Sequence, residues 1–134
     1  MATTESVADV RKDLEATYGM VPSPLGELPE DDMVSEAQFF KKYTVGESEI
    51  PGKYRELIGL AVAANIKCPY CLHFHRHAAE MHGATEAELT EVFSLASLTS
   101  RYSAMLHASG KDLEEFKVDT AKIADHLEAQ AADD

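Results

Sequence analysis

The sequence is poor in cysteine, in positive charge and in long apolar runs, and each shortage excludes a class of protein. Its 134 residues include 12 lysines and arginines against 24 aspartates and glutamates, a formal net charge of −12. Nucleic acids and anionic membrane surfaces bind clustered basic side chains, so we expect neither partner. The longest largely apolar run, Leu57 to Ile66, has about half of the roughly 20 residues that a membrane-spanning helix needs.

The small number of cysteines indicates reactive thiols rather than structural disulfides that stabilise the fold. The first residues, Met1 to Glu5, lack the basic and then apolar pattern of a signal peptide, so we expect a cytoplasmic protein. Lasting structural disulfides are rare in that compartment. The only two cysteines, Cys68 and Cys71, are three positions apart, and closing so short a loop stabilises a fold little.

Helical patterns dominate the chain, and no run alternates with the period of two that is typical of a half-buried strand. The length is that of one domain, so we predict a single all-α domain, 1–134, of about six helices. An N-terminal helical arm and connector are expected over 1–46, a core with the functional site over 47–110, and a C-terminal helix over 111–134. The connector from Met20 to Pro29 contains three prolines, and we expect it to be extended, without a helix.

The candidate site is centred on the two cysteines. With Pro69 at the first position of a helix, Cys68 is its N-cap and Cys71 lies in its first turn. At about 100° per residue, these thiols and His75 lie within roughly 60° of one another on the helix surface. The helix dipole stabilises a thiolate, and an imidazole one turn away accepts a thiol proton. Glu56 on the preceding helix needs a partner, which His75 can supply across a short helical hairpin.

Two structural interpretations compete with a redox site. The cysteines are either small buried core residues or zinc ligands. The pool of candidate ligands consists of Cys68, Cys71, His73, His75, His77 and His82. Successive histidines two positions apart point to nearly opposite sides of a helix, and no second Cys-x-x-Cys or His-x-x-x-His group lies elsewhere to complete a tetrahedral site. We therefore expect no structural zinc site.

The spacing of the site residues resembles one family. Glu56 is followed after twelve positions by Cys68, after three more by Cys71 and after four more by His75. This order resembles the alkylhydroperoxidase AhpD-like, or carboxymuconolactone decarboxylase, superfamily. The flanking stretches, IPGKYRELI before the site and HGATEAEL after it, agree with the resemblance, which covers about residues 20–110.

The resemblance implies an all-helical AhpD-like fold that assembles as trimers or hexamers. It implies a thiol peroxidase acting on hydroperoxides, or a dithiol reductant of a peroxiredoxin-like partner, recharged by a lipoyl-type dithiol without metal or haem. In the implied relay, His75, supported by Glu56 through a water, deprotonates Cys71. That thiolate attacks the peroxide, and Cys68 resolves the sulfenic acid as a disulfide. Tyr70 stands between the cysteines, where the best-known peroxidases of the family have a histidine.

The assignment of Cys71 as the attacking thiol settles a conflict between two physical effects. The dipole favours Cys68, but at an exposed helix end it contributes only about 0.3–1 kcal/mol. A positioned base such as His75 contributes about 10²–10⁴-fold in rate, and it favours Cys71. Two other functions stay open: a lyase of the decarboxylase branch, which lacks the cysteine pair, and a non-catalytic oligomeric module whose thiols sense redox state.

Overall fold

The computed structural model describes residues 6–133, and all regular structure in that range is helical. The expected all-α class is therefore confirmed. The expected number of about six helices agrees with the structure to within one short turn, because the described residues form seven. In chain order the helices are α1 (Val7–Tyr18), α2 (Ser23–Gly26), α3 (Glu30–Thr44), α4 (Gly52–Ile66), α5 (Pro69–Met81), α6 (Glu86–Ser109) and α7 (Leu113–Asp133).

The additional helix, α2, is a single turn within the connector that was expected to be extended. Pro22 is its N-cap and Pro24 lies in its first turn, where a missing N–H has no intrahelical acceptor to lose. Leu25 is only 3% exposed and belongs to the same hydrophobic cluster as Met33 of α3. Burial of this leucine therefore fixes a helical turn that the prolines tolerate.

Two separate hydrophobic clusters hold the first six helices. The N-terminal cluster joins α1, α2 and α3, and it consists of Val10, Leu14, Leu25, Met33 and Ala37. The central cluster joins α4, α5 and α6, and it consists of Leu60, Ala79, Leu89 and Val92. Helices α4 and α5 pack as an antiparallel hairpin, with α6 against α4. The division of the chain at residues 46 and 110 stays a prediction.

Local signals set the ends of the central helices. Lys67 ends α4 in the left-handed conformation, with φ 57° and ψ 40°. The N–H of Cys68 then donates to the Ala63 carbonyl at 3.1 Å, the bond that closes a Schellman-type helix end. Thr85 and Glu88 form the capping box that opens α6. The α4–α5 hairpin consequently has no loop of its own, because the residue after α4's cap already caps α5.

The C-terminal helix is the most exposed part of the fold. Every described side chain from Leu113 to residue 132 is exposed. Its large apolar side chains are those of Leu113, Phe116, Val118, Ile123 and Leu127. Among the residues that the structure describes, no helix combines the length and the apolar character needed to cross a membrane.

Candidate active site

The two thiols meet at the start of α5. Cys68 is the N-cap, as predicted, and its Sγ accepts a hydrogen bond from the Cys71 backbone N–H at 3.2 Å. The Cys71 thiol also donates to the Cys68 sulfur, and these two hydrogen bonds hold the pKa of Cys68 below its usual value. The same thiol–thiol hydrogen bond, together with burial, raises the pKa of Cys71. Cys68 is therefore the thiol that ionises first in the reduced protein.

A buried carboxylate holds the neighbouring imidazole. Glu56 lies within α4 with 2% of its surface exposed, and its Oε2 is 2.7 Å from Nδ1 of His75 on α5. A carboxylate accepts, so the ring nitrogen Nδ1 carries the proton in this contact and Nε2 is left to accept one. The contact is direct, whereas the resemblance implied one through a water.

A glycine makes this contact possible, and its role was not among the features predicted from the sequence. A Cβ built on Gly59 of α4 would lie 2.5 Å from Nδ1 and 2.7 Å from Nε2 of His75. Any side chain at this position would displace the ring from Glu56. The sequence does contain a signal, because Gly59 stands inside a helical pattern, three residues after Glu56. A glycine there destabilises the helix, so it often marks a position where another group packs closely against the backbone.

The same contact recurs at the outer end of the hairpin, away from the turn that joins the two helices. Gly52 precedes Gly59 by seven residues in α4, and His82 follows His75 by seven residues at the end of α5. A Cβ on Gly52 would lie 2.7 Å from Nδ1 and 2.9 Å from Nε2 of His82. Because the two helices run antiparallel, one heptad separates two histidine-over-glycine contacts.

A pocket of about 580 Å³ opens beside Cys71. One wall comes from the first turns of α5, and the opposite wall comes from the connector, α2 and α3. The lining residues are Pro22, Ser23, Pro24, Glu27, Phe40, Tyr70, Cys71, Phe74 and His75. Of the two thiols in the described chain, only that of Cys71 contributes to the lining, so it is the thiol that a molecule in this pocket meets beside His75.

The remaining histidines of the candidate ligand pool lie away from the thiols' pocket. His73 and His77 are exposed on α5, and His82 is exposed at its end. Across residues 6–133, no group of three or more histidine, cysteine, aspartate or glutamate side chains is arranged to hold a metal ion. The residues described above at this site are two thiols, one imidazole and one carboxylate.

Comparison with known proteins connects this geometry to a family. The sequence profile of the carboxymuconolactone decarboxylase family matches residues 36–110, more than half of the chain. An alkyl hydroperoxide reductase of Mycobacterium tuberculosis is 27% identical over 82 residues, which make up 60% of this chain and 24% of that protein. This chain thus spans about a quarter of that relative's length. The crystal structure of the alkylhydroperoxidase AhpD core from Rhodospirillum rubrum matches with a TM-score of 0.70 and 28% identity, over 84% of this chain and 85% of that one.

Proposed function

Because the chain belongs to the carboxymuconolactone decarboxylase family, we propose that it is a thiol-dependent peroxidase that reduces hydroperoxides with the Cys68–Cys71 pair. Relatives named for alkyl hydroperoxide reduction support this proposal. The observation that carries it is the 2.7 Å contact between Glu56 and His75. His75 lies one helical turn from Cys71, and these two residues line the same pocket. A buried carboxylate that orients an imidazole beside a thiol is an arrangement for nucleophilic catalysis.

In the first step, Nε2 of His75 takes the proton of the Cys71 thiol. Glu56 holds the Nδ1–H and stabilises the imidazolium. The thiolate attacks the distal oxygen of the hydroperoxide, so an S–O bond forms and the O–O bond breaks. The departing alkoxide takes the proton from His75 and leaves as an alcohol. Cys71 has then lost two electrons and is a sulfenic acid.

In the second step, Cys68 attacks the Cys71 sulfur. A disulfide forms, and the hydroxide that leaves takes a proton to become water. The Cys71 backbone N–H, which helps to lower the pKa of Cys68, still donates to its sulfur after Cys71 is oxidised and favours Cys68 in this role. An external dithiol of the lipoyl class restores the pair by attacking Cys71, since the thiol with the lower pKa is the better leaving group. Alternatively, the reduced pair passes its two electrons to the disulfide of a peroxiredoxin-like protein.

The opposite pKa shifts of the two thiols make His75 essential to this scheme. With its pKa raised, Cys71 stays protonated near neutral pH and reacts only when a base takes its proton. Cys68 ionises more readily, but its sulfur accepts the Cys71 N–H at the helix start, and Cys71 is the thiol that lines the pocket. Access and the positioned base therefore support Cys71 as the attacking thiol.

The test is consumption of a hydroperoxide with dithiothreitol or dihydrolipoamide as the electron donor. We expect turnover by the native protein. Cys68→Ser should react once and hold a sulfenic acid on Cys71 that dimedone traps, whereas Cys71→Ser should not react. Fast single-turnover oxidation of Cys68 in Cys71→Ser would reverse the two roles.

Two further measurements on the same protein separate the alternatives. Loss of a carboxylated muconolactone without peroxide turnover would identify a lyase of the decarboxylase branch. Reversible disulfide formation without turnover of either substrate would identify a redox-sensing module. Either result would end the peroxidase proposal.

We propose further that the protein is a homo-oligomer, a trimer or a hexamer. Exposed apolar side chains along α6 and α7 support this, because a monomer rarely leaves so many in contact with water. On α6 they are Phe93, Leu95, Leu98, Tyr102 and Met105. Light scattering at micromolar concentration should give a multiple of the 14.7 kDa chain mass, and a monomer would contradict the proposal.

A further inference from the structure

The pocket beside Cys71 has two walls of different origin. The wall on α5 carries the proposed chemistry, and it presents Tyr70, Cys71, Phe74 and His75. The opposite wall, which we call the arm wall, consists of Pro22, Ser23, Pro24, Glu27 and Phe40. Four of these five residues precede residue 36, where the match to the family profile begins. The reacting groups therefore lie within the family region, and most of the facing wall lies outside it.

The arm wall is held in place by packing. Beneath it, Leu25 is 3% exposed in the N-terminal cluster. The Phe40 ring packs against the same cluster and meets the Tyr18 ring edge-on, with centroids 5.8 Å apart and planes at 66°. Phe40 lines the pocket from this cluster. Packing within the cluster therefore fixes the shape of the arm wall itself, which limits the ordering cost of binding.

The chemistry of the lining selects one kind of molecule. Proline and aromatic rings make up most of the arm wall and of the α5 wall, so the pocket favours an apolar occupant. Its volume of about 580 Å³ lies within the range of about 300–1,000 Å³ that is usual for organic ligands, and hydrogen peroxide would leave it almost empty. Outside the proposed catalytic groups, Glu27 is the one carboxylate among the lining residues, and it repels an anionic occupant.

We infer that the arm wall makes the protein selective for neutral organic hydroperoxides with a bulky apolar group, and that Phe40 and Glu27 are specificity-determining residues. Phe40 contacts the apolar group while the O–O bond reaches Cys71. Glu27 disfavours hydroperoxides that carry a carboxylate. This inference rests on the proposed peroxidase function, and it assigns the choice of substrate to the arm rather than to the reacting residues.

The first experiment compares Phe40→Ala with Phe39→Ala. Phe39 is the neighbouring ring, 62% exposed and outside the lining set. In Phe40→Ala we expect kcat/KM for cumene hydroperoxide to fall about tenfold, the order of effect of one lost apolar contact in a pocket. The value for hydrogen peroxide should stay within about twofold because this small substrate does not span the pocket. Phe39→Ala should leave both values unchanged.

A second variant separates specificity from folding. Phe40 also packs in the N-terminal cluster, so Phe40→Ala lowers stability as well. Phe40→Leu keeps an apolar side chain in the cluster, and it should reduce the preference for cumene hydroperoxide over hydrogen peroxide by a smaller factor. An equal loss on both substrates in both variants would overturn the inference, since it would indicate general damage.

The second experiment tests the charge. Native protein and Glu27→Gln are compared on a fatty-acid hydroperoxide and on its methyl ester, with Glu30→Gln on α3 as the matched control outside the lining set. Glu27→Gln should raise the rate on the acid relative to the ester a few-fold at low ionic strength, and added salt should shrink the difference. An acid-to-ester ratio that is the same in all three proteins would overturn the role of Glu27.

The proposed function and the pocket inference fail in different ways. If no hydroperoxide is consumed, the peroxidase function fails. The alcohol that forms from cumene hydroperoxide is then used as a ligand for the pocket. Its binding is measured by how far it slows alkylation of Cys71 by iodoacetamide. Protection that is strong in native protein and weak in Phe40→Ala supports the arm wall as a binding surface, and equal protection in both overturns it.

Discussion

The middle and the outer end of the α4–α5 hairpin contain the same contact in different surroundings. In the middle His75 lies over Gly59, and at the outer end His82 lies over Gly52. Even the sequence around the glycines repeats, because a glutamate stands three residues before each one. The first of these glutamates, Glu56, is 2% exposed within α4 and holds His75.

At the outer end the same spacing yields no site. Glu49 precedes Gly52, but Pro51 caps α4 between them, so Glu49 lies outside the helix and is exposed. One turn before His82 on α5 stands Ala78, whereas Cys71 stands one turn before His75. In residues 6–133 the His82 ring makes no hydrogen bond or ion pair. His75 is thus a candidate base and His82 is not, because only His75 has a buried acid and a thiol beside it.

The largest expected effect separates the two histidines. His75→Ala should lower kcat/KM for a hydroperoxide by about 10²–10⁴-fold, the usual contribution of a positioned base. His82→Ala should leave it within about twofold, since that ring has no partner to act on. Stopped-flow oxidation of the reduced protein measures both. Equal losses in the two variants would remove the distinction between the two histidine contacts.

The next effect separates the two glycines. Gly59→Ala should displace the His75 ring from Glu56, and a misplacement of about 1 Å costs on the order of 10² in rate. Gly52→Ala should have little effect because the exposed His82 ring swings into water. Thermal unfolding supplies the control for structural damage, and the pH profile of Cys71 oxidation should change only in Gly59→Ala. If that profile stays native, Gly59 does not position His75.

A smaller effect separates the two glutamates. Glu56→Gln keeps the size of the side chain but removes the charge that stabilises the imidazolium, so we expect about a tenfold slower reaction with peroxide. Glu49→Gln at the exposed outer position should react at the native rate. Rapid-quench measurement of sulfenic acid on Cys71 tests the pair. A native rate in Glu56→Gln would mean that the carboxylate does not support the base.

The smallest effect concerns the pH dependence of the thiols. With its pKa lowered, Cys68 should reach full alkylation by iodoacetamide at a lower pH than an ordinary thiol, while Cys71, with its pKa raised, should need a higher pH. Cys71→Ala removes the thiol donor but keeps the backbone N–H, so the Cys68 curve should move partway back toward the ordinary value. Mass spectrometry of the labelled peptides measures each site. Superimposable curves for the two native thiols would contradict the shifts.

Local features of the fold and site were predictable from the sequence. The N-cap at Cys68 and the capping box of Thr85 and Glu88 each depend on a few neighbouring residues, and the structure places them as expected. The pairing of Glu56 with His75 was also predictable from the sequence. It follows from one buried acid and a hairpin too short to allow many registers.

What depends on distant contacts was not predictable. The helical turn α2 forms because Leu25 reaches a cluster with Met33, and the prolines around it suggested the opposite. The role of Gly59 requires knowing where the His75 ring lies on α4. The arm wall places Phe40 across the pocket from Cys71, which is thirty-one positions further along the chain, and no periodicity within either helix indicates that arrangement.

Cys68 makes hydrogen bonds at the end of α4 and at the start of α5, and these bonds affect the redox potential of the cysteine pair. Its N–H completes the end of α4, and its sulfur accepts at the start of α5. A thiolate fills the second role better than a disulfide sulfur, so the helix start stabilises the reduced protein more than the oxidised one. The dithiol couple is thereby displaced toward a less negative potential than the same two cysteines have in an unfolded chain. Equilibration against glutathione buffers should detect this displacement, and it makes the oxidised pair easy for an external dithiol to recharge.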